Sequence, residues 1–104
     1  MNHVKVATDF SRYPAGRFLK DGPFSGEAFR NKFLEPKLLA GEVILVDLDG
    51  TRGYGSSFLE EAFGGLVRHG YDADRVLRLV QLQSKRESLQ QEIRGYIRDA
   101  TRDS

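Results

Sequence analysis

The chain contains no cysteine among its 104 residues. Disulfides, thiol catalysis and cysteine-ligated metals are therefore excluded, and a reducing compartment suits it. Its two histidines, His3 and His69, lie far apart and lack metal-ligand spacing, so no metal or cofactor site is expected. No apolar run approaches the roughly 20 residues of a membrane span, and the start, MNHVKVATDF, has no apolar leader core. A cytoplasmic location is the expectation. Charge of one sign is also lacking: 16 basic and 15 acidic residues leave a formal net charge of +1. That balance speaks against nucleic acid or a membrane surface as a partner. The four tyrosines have no regular period and no basic interleaving, unlike a base-stacking platform. Repeats and low-complexity tracts are absent.

What is present suits one folded unit. With 39% hydrophobic and 30% charged residues, residues 1–104 can build a single domain around one modest core. Val4 and Val6 alternate with polar neighbours and predict a short strand. Arg17-Phe18-Leu19, between the turn signals Tyr13-Pro14-Ala15-Gly16 and Lys20-Asp21-Gly22-Pro23, predicts a second. Ser25 reads as a helix N-cap, with Glu27 in the first turn where the dipole favours a carboxylate. Phe29 and Phe33 fall on one face of that helix, and Pro36 is expected to break it near Glu35 or to have it restart through Leu38 and Leu39.

The most informative stretch is 43–68, VILVDLDGTRGYGSSFLEEAFGGLVR. Its apolar start predicts a central strand covered on both faces, delivering Asp47 and Asp49 to a glycine-rich loop. Ser57-Phe58-Leu59-Glu60 matches a capping box. Phe58, Leu59, Ala62, Phe63, Leu66 and Val67 supply the apolar face of the helix. Gly64 and Gly65 inside that face imply a close contact with a neighbouring element. Residues 76–82, VLRLVQL, predict a further strand. Ser84 to Glu87 form a second capping box, followed by the helical stripe Leu89, Ile93, Tyr96, Ile97 and Ala100. Alternation of this kind argues for an α/β domain with parallel later strands.

VILVDLDGT is similar to the nucleophile motif of haloacid-dehalogenase-like phosphatases. In those enzymes the first Asp attacks phosphorus, the second is the acid/base, and both surround Mg²⁺. The downstream order does not follow that family. No lysine lies between this motif and Asp72 and Asp74, and Lys85 comes after them. The glycines around Tyr54 do not form a P-loop either. Carboxylates at a strand end are expected instead to accept loop amides and hold a turn.

Taken whole, the chain resembles the STAS-like domain family of unknown function found in bacteria and phages. The resemblance is carried by Asp9-Phe10-Ser11, Gly16-Arg17, Ser25-Gly26-Glu27 with Phe29-Arg30, Asp47-Leu48-Asp49-Gly50, and Gly55 through Leu66. That family is similar to anti-sigma factor antagonists, in which a serine opening a helix after the Asp-bearing strand is phosphorylated by a histidine-kinase-like ATPase. Ser56 falls at that serine, with Ser57 beside it; Gly55 stands where the antagonists have Asp, and Phe58 where they have Gly. Glu60 and Glu61, one turn on, would oppose a phosphate there.

The resemblance implies a STAS-like α/β domain with a small mixed four-stranded sheet and about three helices. It also implies a non-enzymatic regulatory module that binds a protein partner, such as an ATPase of that type, with Ser56 and Ser57 as the switch. Asp47, Asp49, Tyr54, Gly55, Ser25, Glu27 and Arg30 are candidate members of an interaction or ligand surface. Arg17 is expected to pair with a strand-end Asp. The alternative function is Mg²⁺-dependent handling of a phosphate or nucleotide through Asp47 and Asp49, or a structural role in a larger assembly.

Overall fold

In the computed structural model, which describes residues 2–103, the apolar run becomes the middle strand of a parallel sheet. Its strands are β1 (Asn2–Lys5), β2 (Ile44–Asp47) and β3 (Val80–Gln83), in the spatial order β1-β2-β3. The register aligns Val4, Val46 and Leu82 in one row, and His3, Leu45 and Gln81 in the next. Val4, Ile44, Val46 and Val80 are buried. His3, Lys5, Gln81 and Gln83, on the alternate rows, are exposed. The central strand is thus covered on one face, where both had been expected. Strands laid down in chain order by right-handed crossovers carry all their helices on the same side.

Helix α1 (residues 26–39) runs through Gly26–Phe29, Arg30–Leu34 and Glu35–Leu39 without interruption. The Ser25 hydroxyl accepts the Ala28 N–H at 3.1 Å, the N-cap expected from the sequence. Pro36 does not break the helix. The turn before it is wide, with the Glu35 N–H donating to the Arg30 carbonyl. This extra residue in the turn makes room for the proline ring and its missing donor. Helix α2 (residues 56–68) is built of Ser56–Leu59, Glu60–Gly64 and Gly65–Arg68. Helices α3 (Ala73–Leu79) and α4 (Glu87–Asp103) follow.

Several expected elements take other forms, and each has a local cause. The sheet has three strands among the described residues, all parallel, where a mixed four-stranded one was expected, and helical segments outnumber three. Residues 17–19 form no strand. The Asp21 carboxylate accepts the Phe18 N–H, Glu27 accepts the Leu19 N–H, and a tight turn results over Leu19–Asp21. Side chains that capture backbone donors in this way compete directly with sheet pairing. Strand β1 ends at Lys5, whose N–H donates to Asp9 Oδ2. Within 76–82, the Asp72 carboxylate caps the Arg75 N–H, so the first half is helix and only Val80 onward is strand.

The core lies between the buried sheet face and the helices. Phe29, Phe58 and Phe63 are fully buried, and Phe10 meets Phe29 edge-on with ring centres 5.2 Å apart. Aromatic pairs in this geometry add about 0.5–1.5 kcal/mol beyond their buried area. Helices α1 and α2 meet closely because Gly26 has no side chain. A Cβ there would fall on the Phe58 carbonyl oxygen. Gly26→Ala is therefore expected to cost about 1–3 kcal/mol. Urea unfolding should show a lower midpoint with an unchanged slope.

Candidate functional site

Two regions carry chemistry: a charged seam between α1 and α2, and the carboxyl edge of the sheet. In the seam, Arg30 is 1% exposed, and its Nη1 donates to Glu61 Oε2 at 2.6 Å and to the Glu61 carbonyl at 2.9 Å. A side chain at Gly65 would collide with this guanidinium. Close approach to α1 is thus the reason for a glycine inside the apolar face of α2. Arg17 Nη1 reaches Glu60 at 2.5 Å and Glu61 at 3.2 Å, and Arg68 pairs with the same two carboxylates. Arg17 was expected on a strand-end Asp. The two glutamates of α2 hold it instead.

Burial pushes the Glu60 and Glu61 carboxyls up, but the arginine hydrogen bonds more than reverse this. For Glu60 they come from Arg68 and Arg17, and for Glu61 from Arg30 and Arg17; both groups are held below the usual carboxylate range. The seam also dismantles the predicted capping box. Glu60 is turned toward the arginines, and the cap of α2 falls two residues earlier than the box places it, at Gly55, with no side-chain cap. Ser56 and Ser57 are both exposed, and neither hydroxyl caps the helix.

At the carboxyl edge, Asp47 Oδ1 accepts the Asp49 N–H at 3.0 Å, and Asp49 Oδ1 accepts the Lys85 N–H at 3.0 Å. The first bond holds the turn after β2. The second ties that turn to the one after β3. The Leu48 N–H adds a bond to the Gln83 carbonyl. Tyr54 Oη donates to the Leu48 carbonyl at 2.7 Å, closing the loop just ahead of Gly55. Burial first, and then the charges of Asp47 and Asp49, push this hydroxyl up to about 12, so it remains a neutral donor. Among the described residues no three acidic or histidine side chains gather as a metal cluster.

The structure therefore joins Asp47, Asp49 and Tyr54 in one loop system that leads through Gly55 to Ser56 and Ser57. It separates Ser25 and Arg30 from that group. Both are buried, the first as a cap and the second in the seam, so they serve the fold and present no surface. Glu27 is half-buried and occupied by the Leu19 N–H. The second predicted box, at Ser84, is also replaced, because its hydroxyl accepts the Arg86 N–H two residues on.

Sequence reasoning missed a cleft of about 290 Å³ between the two loops, lined by Thr51, Arg52, Tyr54, Ser84, Lys85 and Arg86 among others. Its two walls are some thirty residues apart in the chain, and no periodicity connects them. Among the described residues no helix is long and apolar enough to cross a membrane.

A family model described as a STAS-like domain of unknown function matches residues 25–87. The match runs from the Ser25 cap to the first residue of α4. No curated protein and no solved structure matches the chain.

The seam makes stability depend on pH. Both carboxyls are depressed in the folded state, so their contribution is present above the unfolded value of about 4.3. It is lost as pH falls through the folded values. Glu61→Gln removes the closest countercharge of the buried Arg30, leaving only Glu35 at 3.6 Å, and is expected to cost about 3 kcal/mol at pH 7. Urea unfolding across a pH series should show the variant and the parent converging well below about pH 4.3.

Proposed function

From the premise that the chain belongs to the STAS-like domain family of unknown function, we propose that it is a non-enzymatic regulatory module that binds a protein partner. The contact surface centres on the first turn of α2, and phosphorylation at Ser56 releases the partner. The partner is an ATPase of the histidine-kinase-like type that also transfers the phosphate.

The observation that carries this reading is the freedom of the two serines. Ser56 and Ser57 stand exposed at the start of a helix whose cap position holds glycine, and neither is engaged as a cap. A hydroxyl without a structural duty is available to a kinase. The carboxylates that were expected to oppose a phosphate are already compensated, Glu60 by Arg17 and Arg68, and Glu61 by Arg30, Arg17 and Arg68. With Glu35 3.6 Å from Arg30, three carboxylates and three guanidiniums balance in this seam. A phosphate adds about −1.5 to −2 of charge at neutral pH. At this position it faces the positive end of the helix dipole and unpaired amides, so it is tolerated by the module and harmful to an apolar interface.

Arg17 ties the neighbouring loop to Glu60. The next residues in that loop, Phe18 and Leu19, are exposed. They provide apolar contact area for the partner beside the serines.

The test is incubation with ATPases encoded near the gene and with ATP, followed by mapping of phosphate by mass spectrometry. Phosphate is expected on Ser56, with loss of the complex on gel filtration. Ser56→Ala should keep the complex in the presence of ATP, and Ser56→Asp should abolish it. No modification at either serine together with no complex overturns the reading.

A further inference from the structure

The geometry points to the cleft between the loops after β2 and β3 as a binding site for a small phosphate monoester, held by Arg52, Lys85 and Arg86. This site is distinct from the serine surface and does not depend on it.

The cleft lies at the carboxyl edge of the parallel sheet, between the loops that follow the neighbouring strands β2 and β3. Its backbone is fixed before any ligand arrives. Asp49 bridges to the Lys85 amide, Ser84 closes the turn at Arg86, Tyr54 anchors to Leu48, and the Arg52 N–H donates to the Arg12 carbonyl at 2.9 Å. Leu48 and Leu89 form a buried apolar base.

The charge around this base is one-sided. Arg52, Lys85 and Arg86 line the cleft against a single carboxylate, Asp49. That local excess of two positive charges exceeds the +1 of the entire chain. Among the described residues these three side chains form no ion pair. Arg17, Arg30 and Arg68 are all paired in the helix seam. Two guanidinium forks match the oxygens of a phosphate in bidentate fashion, and a lysine adds a point charge. Thr51 and Ser84 add hydroxyl groups to the lining, one from each loop. A volume near 290 Å³ is at the small end of ligand pockets. It admits a phosphate with a compact organic body, and the Tyr54 ring and the leucines give that body an apolar contact.

Titration of the full chain with AMP, inorganic phosphate and adenosine, followed by amide NMR, tests the assignment. AMP should shift the amides of residues 50–54 and 84–86 and bind more weakly as salt rises. Phosphate alone, at the same amides, separates the anion's share from that of the organic body. Adenosine should not bind. Arg52→Ala with Arg86→Ala should weaken AMP by about tenfold or more, as expected for lost charge-assisted hydrogen bonds. Both side chains are exposed, and an unchanged circular dichroism spectrum verifies the fold. Binding of neither AMP nor phosphate at millimolar concentration overturns the site. So does adenosine binding as tightly as AMP, or AMP binding unaltered in the double variant.

Discussion

One guanidinium organises the helix layer. Arg30 is buried where α1 crosses α2, and its hydrogen-bond partners are the carboxylate and the carbonyl of one residue, Glu61. Taking both charges out of water costs several kcal/mol each, and their mutual attraction returns this only in good geometry. The pair is therefore a poor source of net stability and a strict judge of alignment. If α2 slid by a turn, Glu61 would leave Arg30, and the carboxylate left near it, Glu35 at 3.6 Å, lies on α1 itself and cannot fix the crossing. Gly65 and Gly26 belong to the same constraint. One leaves space for the guanidinium, and the other lets the backbones approach closely enough for it to reach across. The phenylalanines Phe29, Phe58 and Phe63 then fill the rest of the crossing.

The beginning of α2 is shaped by the same contact. Because Glu61 faces α1, its neighbour Glu60 faces the rim of the seam, where Arg17 and Arg68 hold it. A glutamate held there cannot reach back to cap its own helix. The S-x-x-E pattern at Ser57 is a local signal, worth about 1 kcal/mol. It loses to a charge network whose disruption costs several. The serines are left without a structural role as a consequence of packing deeper in the molecule.

This explains which parts of the structure were legible in the sequence. Ser25 as a cap, the strand before Asp47, the helical stripe from Leu89 and the need for close contact at Gly65 all follow from local chemistry or periodicity, and all are present. Local patterns also suggested the strand at 17–19, the break at Pro36 and the box at Ser57. Each gave way to a competing interaction that sequence spacing does not reveal: Asp21 and Glu27 on loop amides, a widened turn ahead of the proline, and the arginines on Glu60. Arg30 is the sharpest case. A lone arginine on a helix reads as exposed, and nothing nearby in the chain announces Glu61 as its partner.

The near-neutral composition hides a spatial sorting of charge. Acids and bases pair off where the helices meet, so the seam presents little net field despite its density of ions. The excess emerges at the carboxyl edge, where Arg52, Lys85 and Arg86 face a single aspartate already engaged with a backbone amide. Net charge is a sum over the chain, and a partner samples only the part within about a Debye length. A value near zero therefore excludes a protein that is basic throughout, and it leaves open a small basic cleft. The single-sided cover of the sheet adds to this. With every crossover on one face, the loops at the strand ends are not roofed by a second helix layer, and the cleft between them stays accessible.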